Sequence, residues 1–526
     1  MTTARADSVR LPDGAAPTAP SAPRERWATV LRASLGAVAA VAIGAYVVVA
    51  LVRLRSPAEL EWIEGGMVDQ VRRALDGQPL YGPPTLQSVP FLYTPLFTLV
   101  GAGVSWAIGV GPEPLRAISI VSSLVAFWAT ARLVVVETRD RWAGLVAAGV
   151  LAASYVVCGA WFDVARVDSL MLALVVLGAL RIRTATTDAA AVAGGALLVL
   201  AVLAKQDALL PAVAVQLWLV VVDRRRGAIA AGTTAVGLVA TGLALQLSTA
   251  GWAWFYLVDV PRSHELVSGS VLGFFTGDLR PYLWTAAAGA VVMASVRYGW
   301  GRDREDRDLP GRRGGRPEPS TTVRWGFVAA YGASMVLCGW LGRIHSGGWD
   351  NVLMPAIAAI ALLAGLVAAS TRRLAPGLAA VCVALLLVQF WAIRWAPWDQ
   401  VPSASDERAA VATVAALREL PGPVYLPAHP WWLVAAGREP GAQSAALADV
   451  LRGPSDERRR LTRELDRAFE EQRFASVVVD SQRWMSYLPP SFEEHYRYDR
   501  DLLPDGRVAR STTGFRTGPA EVWVPR

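Results

Sequence analysis

The chain has 526 residues, 53% of them hydrophobic and only 18% charged, and a mean hydropathy of +0.35. Soluble proteins carry about a quarter charged residues, so the composition excludes an ordinary soluble enzyme and places much of the chain in lipid. The formal charge of +7 would suggest nucleic acid in a soluble domain, but the arginines fall in short clusters between apolar runs, the pattern of cytoplasmic loops, and no nucleic-acid partner is expected.

Residues 1–26 are rich in Pro, Ala and Ser and read as a disordered cytoplasmic tail. The length of this tail and the uncut run behind it argue against a cleaved signal peptide. Apolar runs then recur at 30–52, 90–110, 117–136, 143–160, 170–182, 189–204, 208–222, 228–245, 282–296, 326–341, 352–369 and 377–393, the longer ones sufficient to cross about 30 Å of hydrocarbon. This pattern predicts a polytopic α-helical membrane protein with a transmembrane region over 27–394. Cys158, Cys338 and Cys382 lie inside these runs, in no disulfide or zinc spacing, and read as packing residues.

Orientation follows from arginine placement. Arg181 and Arg183, Arg224 to Arg226, Arg302 to Arg316, and Arg372 and Arg373 occupy alternate gaps, and the positive-inside rule makes those gaps cytoplasmic. Residues 161–168, 205–207, 248–281 and 343–351 then face outward, as does everything after Ile393. With the N-terminus cytoplasmic and the first loop (54–89) outside, the run at 90–110 cannot cross completely, because a crossing would put Arg139 and Arg141 outside. That run opens PFLYTPLF, whose two prolines interrupt a regular helix. An interfacial or re-entrant segment is predicted there, leaving about eleven spans. The alternative is an ordinary span with an exception to the charge rule elsewhere.

On this orientation the informative polar residues gather at one face. Glu61, Glu64 and Asp69 lie in EWIEGGMVDQVRRALDGQPLY, Arg166 and Asp168 in WFDVARVDSL, and Lys205 and Asp207 in LAKQDALLP. Arg262 and His264 lie in VPRSHELVSG, and Arg343, His345, Asp350 and Asn351 in LGRIHSGGWDN. Singly, each has a bland reading: a loop glutamate is solvated, an arginine near a helix end snorkels, and an aspartate at a helix start is a cap. Their gathering at one face points instead to a functional site, since ionisable groups at membrane depth are costly. Lys205 is the only lysine among 51 basic residues. A compact ammonium kept where arginine supplies all other positive charge suits binding of a phosphate.

The stretch from Glu64 to Gly77, followed by QPLY, resembles the first outer loop of the GT-C class of membrane glycosyltransferases, including the protein O-mannosyltransferase-like and aminoarabinose-transferase-like enzymes. In that class an acidic motif, often Asp-Glu, opens the loop, and a helix then runs to a Gly about thirteen residues on. Here Glu64 matches the Glu of that motif, while its Asp position is Ile63. FLYTPLF, with Tyr93, resembles the tyrosine/proline element of the class, and ARVDSL its Arg- and Asp-containing segment. LAKQDALLP resembles its lysine at an outer helix end, and GGWDNVLMP the Asn-containing stretch before a late span. The resemblance covers roughly the first 390 residues.

The resemblance implies a polyprenyl-phosphate sugar donor, a lipid, glycan or protein acceptor, and inversion at the anomeric carbon. Glu64 is the first choice for the base that takes the acceptor proton, with Glu61 second. Lys205 and Arg166, with His264 or Arg343, would face the leaving phosphate, and Asp168 would orient Arg166 or accept a sugar hydroxyl. Tyr93, His345, Asp350 and Asn351 complete the expected donor site. Glu61, Glu64, His264 and His345 are oxygen and nitrogen ligands that a divalent metal accepts, but no tight ligand spacing supports one, so no cofactor is assigned. Trp62, Trp161, Trp252, Trp254 and Trp349 could stack on sugars or anchor the protein in the interface.

Residues 395–526 change character. Charged residues become frequent after Asp399, residues 400–405 read as a linker, and 405–420, 442–451 and 456–472 have helical spacing. PVYLPA, ASVVVD and EVWVP read as strands, which together predict a small extracytoplasmic α/β domain. His429, Trp431 and Trp432 in PAHPWWLVAAG would touch substrate or pack this domain on the bundle. The arginine bias and high Ala, Gly and Val content fit a GC-rich bacterial genome, so a multi-pass protein of a bacterial cell membrane is expected. The competing functions are a transporter or lipid flippase, and a structural membrane protein.

Overall fold

The computed structural model describes residues 23–298, 321–453, 455–481 and 487–526. Most of the expected N-terminal tail and the whole Arg302 to Arg316 cluster lie outside the described residues, although the first helix, α1 (Pro23–Leu54), begins inside the expected tail.

Every apolar run forms a helix. After α1 comes the amphipathic α2 (Glu64–Leu75), then α3 (Leu96–Ile108), α4 (Pro112–Thr138), α5 (Arg141–Ala153), α6 (Asp168–Arg183), α7 (Asp188–Ala204), α8 (Leu209–Val222) and α9 (Arg224–Ser248). A loop carrying the short helices α10 (Trp252–Trp254), α11 (Val260–Ser263) and α12 (Ser268–Gly273) leads to α13 (Leu283–Tyr298), α14 (Thr321–Ile344), α15 (Met354–Ser370) and α16 (Pro376–Ala392). Side-chain caps set several boundaries: Asp140, Thr187 and Asp223 accept backbone N–H groups at the starts of α5, α7 and α9.

Five described stretches are long and apolar enough to cross a membrane: Thr29–Leu54, Pro112–Thr138, Arg224–Ser248, Val323–Ile344 and Asp350–Arg373. The other apolar helices are shorter than the sequence runs suggested. α5 stops at Ala153, where residues 154–167 turn through buried, non-helical backbone. α6 starts only at Asp168, α7 ends before Lys205, and α8 begins after a turn at Gln206–Ala208. The missing helical turns therefore lie at one end of the bundle, where irregular backbone is tolerated because protein covers it or a cavity borders it. The segment expected not to cross, α3, has 13 residues, about 20 Å at 1.5 Å per residue, and packs against α2 and α4.

Two glycines explain why α2 opens with Gly-Gly. A Cβ on Gly65 would lie 2.3 Å from Glu59 Oε1, and a Cβ on Gly66 would lie 2.7 Å from both Phe91 Cζ and Gln443 Cγ. Their bare backbone lets the first loop and the C-terminal region close on this helix.

The C-terminal region begins with α17 (Ala404–Glu419), started by a Ser403/Asp406 capping box. β1 (Val424–Tyr425), α18 (Pro430–Ala435), α19 (Ser444–Arg452), α20 (Asp456–Glu470), β2 (Ser476–Asp480), α21 (Phe492–His495), β3 (Tyr496–Asp501) and β4 (Pro519–Pro525) follow. The strands form one sheet in the order β1-β2-β4-β3, with β1 and β2 parallel and the other pairs antiparallel. Every residue of β2 is buried, while α20 turns Leu461, Leu465, Ala468 and Phe469 inward at helical spacing.

His429 is a packing residue and lies away from the main cavity. It is buried between Glu59 of the first loop, which Nδ1 contacts directly, and Asp480 Oδ2 at 3.1 Å from Nε2, and it stacks on Trp432. Burial disfavours the imidazolium, but Asp480 and then Glu59 outweigh that and push His429 up to about 10. A histidine raised on folding contributes stability that is full below its ordinary value near 6.5 and is lost as pH climbs through the folded value. The melting temperature is therefore expected to fall between about pH 6.5 and 10, and this fall should shrink in His429→Gln, as scanning fluorimetry across that window would check.

Candidate functional site

A cavity of about 500 Å³ opens at the bundle end where the helices are cut short. Glu61 to Ile63 and Phe91 to Tyr93 form one wall, with Trp161 and Arg166 beside them. Lys205 to Asp207, Pro261, His264, Leu341, Gly342, residues 344–349, Asn351 and Val352 form a second wall, and Asp449, Arg452 and Phe515 close the cavity from the C-terminal region. Two loops pair to build the second wall: Val267 N donates to Ile344 O at 2.7 Å and Ser346 N to Glu265 O at 2.9 Å.

Arg166 is the hub of the first wall. Its Nη1 donates to Glu61 Oε2 at 2.9 Å and its Nη2 to the Tyr93 hydroxyl at 2.5 Å, while the guanidinium stands 5.5 Å from the Tyr93 ring and 5.6 Å from the Trp161 ring. Across the cavity, Lys205 Nζ donates to Asp168 Oδ1 at 3.0 Å and faces Asp207 Oδ2 at 3.1 Å. Asn351 Nδ2 also donates to Asp168 Oδ1, at 2.9 Å. Asp168 thus sits behind the lining and holds two residues that reach it. Glu61 Oε1, Asp168 Oδ2 and Arg166 Nε are buried with no hydrogen-bond partner among the described residues. Unmatched groups of this kind beside a cavity are sites where a ligand completes the bonding.

The two glutamates that the sequence left as alternatives do different work. Glu64, the first choice for a base, does not line the cavity. Arg116 grips it through Nε to Oε1 at 3.1 Å and Nη2 to Oε2 at 2.7 Å, and the backbone N–H groups of Ala165 and Leu60 each donate to it at 2.8 Å. Burial alone would raise its pKa, but Arg116 and those N–H groups outweigh burial and hold the carboxyl below its ordinary value. Glu64 is thus a permanent anion whose lone pairs are spent on structure. Arg116 extends the brace with Nη1 and Nη2 bonds to the carbonyls of Arg53, Ser56 and Ala58. Glu61 lies in the cavity instead. Its burial raises the carboxyl, the Arg166 cation works against that, the Glu64 anion adds to it, and the result is about 7.

Other expected site residues are also redistributed. Arg343 pairs with Asp278 through two contacts of 2.8 Å and with Asp350 at 3.3 Å, so Arg343 and Asp350 fasten loops and do not line the cavity. His264 and His345 do line it, but their ring nitrogens meet the carbonyls of Asp449 at 3.0 Å and Pro261 at 2.9 Å. Among the described residues no group of three His, Cys, Asp or Glu side chains is placed to hold a metal ion, so Glu61, Glu64, His264 and His345 are not brought together as a ligand set. Of the tryptophans considered for stacking, Trp62, Trp161 and Trp349 border the cavity, whereas Trp252 packs on Phe255 and Tyr256.

Sequence reasoning missed Arg116, the buried Arg53–Asp163 ion pair at 3.1 Å, and Asp449 with Arg452. The last two are spaced i,i+3 on α19, which by itself reads as an exposed helix face.

Residues 91–313 match the model of glycosyltransferase family 87. No curated protein matches the chain in sequence. The structure is similar to that of ArnT from Cupriavidus metallidurans bound to undecaprenyl phosphate, with a TM-score of 0.55 and 13% identity over 95% of this chain and 98% of that one. It is also similar to the archaeal oligosaccharyltransferase AglB from Archaeoglobus fulgidus in complex with an inhibitory peptide and a dolichol-phosphate, with a TM-score of 0.50 and 12% identity over 92% of this chain and 74% of that one. At these identities the likeness establishes a shared fold.

Proposed function

We propose that the chain, whose residues 91–313 match glycosyltransferase family 87 and whose fold is shared with ArnT, moves a sugar from a polyprenyl-phosphate donor to a hydroxyl of a lipid, glycan or protein acceptor at the outer face of the membrane. The observation that carries this reading is the unpartnered Glu61 Oε1, buried in the same cavity as Arg166 and Lys205. The undecaprenyl phosphate and dolichol-phosphate held by ArnT and AglB support a donor of that kind. The C-terminal region (395–526) then lies outside and closes the cavity through Asp449, Arg452 and Phe515.

In this reading Glu61 Oε1 accepts the proton of the acceptor hydroxyl as its oxygen bonds to the anomeric carbon. The anomeric carbon–phosphate oxygen bond breaks on the opposite face, and polyprenyl phosphate leaves with the bonding pair, so the sugar is inverted. Lys205 and Arg166 stabilise the charge that grows on the departing phosphate. Asp168 and Asn351 position Lys205, and Tyr93 fixes the plane of the Arg166 guanidinium. A transporter would need a polar path through the bundle, yet α6 carries no ionisable residue between Asp168 and Arg181, and packed apolar side chains of α4, α5, α6 and α15 fill the space around it.

A base must be unprotonated to act. With Glu61 near 7, kcat/KM is expected to rise tenfold per pH unit below that value and level off above it, a profile that Glu61→Asp should shift and Glu61→Gln abolish. Lys205→Gln is expected to lower kcat by about 10²–10³, with the larger effect on kcat than on donor KM, and Lys205→Arg should recover only part because a planar fork replaces a point charge. The reading itself is tested by incubating the purified protein with radiolabelled polyprenyl-phosphate sugars and cell-envelope acceptors. Transfer from a nucleotide sugar but from no polyprenyl-phosphate sugar would overturn it.

A further inference from the structure

The chain between β3 and β4, residues 502–518, leaves the sheet and reaches back to the first loop. Thr513 N donates to Leu60 O at 2.8 Å, Thr513 pairs with Glu61 in a single parallel bridge, and the Thr513 hydroxyl donates to Gly159 O at 3.0 Å. One residue on, the backbone passes so close that a Cβ on Gly514 would lie 3.2 Å from the Trp161 ring and 3.3 Å from Glu61 Cγ. Gly514 also has a φ of +66°, where a side chain is strained. Phe515 then lines the cavity, its ring edge to face with Trp62 at 6.0 Å between centroids.

The tip of this loop is fastened in two ways. Ser511 N donates to Thr517 O at 3.0 Å and Ser511 Oγ to Phe515 O at 2.7 Å, which closes the loop on itself. Thr517 Oγ1 donates to Asp480 Oδ2 at 2.8 Å. The same carboxylate oxygen meets His429 Nε2, and His429 Nδ1 contacts Glu59. One buried histidine network thus ties down both segments that bracket Glu61: the first loop two residues before it, and the C-terminal loop beside it. Glu61 is fully buried under this cover, although its Oε1 has no partner among the described residues.

A base in that position needs protection, because water offers it the same O–H group as an acceptor, and closed sites suppress hydrolysis by keeping water out. We propose that residues 511–517 decide whether the donor sugar passes to the acceptor or to water, with Phe515 screening Glu61 from solvent and Thr513 and Gly514 positioning it. The proposal rests on the transferase reading above. With the screen opened, Glu61 Oε1 accepts a proton from water as the water oxygen bonds to the anomeric carbon. The anomeric carbon–phosphate oxygen bond breaks, polyprenyl phosphate leaves with the bonding pair, and free sugar is released.

The test incubates purified full-length protein with a radiolabelled polyprenyl-phosphate sugar and cell-envelope acceptors, and measures transferred and free sugar in the same reaction. Wild type is expected to transfer with little release. Phe515→Ala should raise the free sugar formed per sugar transferred, and Phe515→Tyr, which keeps the ring, should restore the wild-type ratio. Arg516→Ala, at an exposed position of the same loop, should leave the ratio unchanged. Gly514→Ala must push the loop away from Glu61 or Trp161, so it should shift the ratio as Phe515→Ala does and slow transfer by about 10²-fold, the cost of a misplaced catalytic group. The ratio does not depend on how much of the protein is folded, so misfolding of a variant cannot mimic the shift. Neither transfer nor release by wild type would overturn the donor assignment and this proposal with it. Intact transfer, with one ratio shared by wild type, Phe515→Ala and Gly514→Ala, would overturn this proposal alone.

Discussion

Glu61→Gln is expected to lower turnover by about 10²–10⁴, the usual contribution of a positioned general base, while leaving the protein folded. The amide keeps the size of the side chain and can still accept from Arg166 Nη1, which lies 2.9 Å from Glu61 Oε2. What it lacks is a basic oxygen in place of Oε1, the atom with no partner. Single-turnover transfer with saturating donor isolates the chemical step. Turnover equal to wild type, in a protein that elutes and melts normally, would remove Glu61 from the base role.

Arg116→Met is expected to have the larger effect on stability, about 3–5 kcal/mol, because it strands the Glu64 carboxylate with its charge uncompensated in a buried site. Arg116 is fully buried and Glu64 only 1% exposed. Three backbone carbonyls also lose their donors. Glu64→Gln should be milder, since its amide oxygen can still accept one of the N–H groups of Leu60 and Ala165. The double variant Glu64→Gln/Arg116→Met should be more stable than Arg116→Met alone, because no unpaired charge remains. Apparent melting temperatures of the four proteins complete that cycle. If Arg116→Met melts like wild type, the brace is not what holds the first loop.

The pair of predictions separates two glutamates that looked alike in the sequence. EWIEGG shows two carboxylates three residues apart, and motif spacing favoured Glu64. Their roles are decided by partners far along the chain: Arg166 for Glu61, and Arg116, separated by 52 residues, for Glu64. No local pattern encodes such pairings. Arg116 lies two residues after Pro114 near the start of a long apolar helix, where an arginine ordinarily reads as snorkelling. By contrast, the helices were legible because lipid exposure forces long apolar runs, and Arg166, Lys205 and Asn351 because polar groups at the ends of such runs stand out. Helix ends were less legible. The run at 143–160 stays apolar past Ala153, but its chain leaves the helix there and turns toward Trp161, which lines the cavity. In the C-terminal region the three strands with apolar cores were visible, while β3, YRYDRD, was hidden by its charges. Only its first residue is buried, as suits an edge strand.

The proposed transfer requires Arg166 and Lys205, which line one cavity, to hold the same lipid-borne phosphate. The most direct measurement is a cryo-electron microscopy structure of the protein with undecaprenyl phosphate. Phosphate density is expected within hydrogen-bond distance of Lys205 Nζ and the Arg166 guanidinium, with the isoprenoid leaving the cavity toward lipid. Phosphate density remote from both side chains, with the cavity beside Glu61 unaltered, would contradict it.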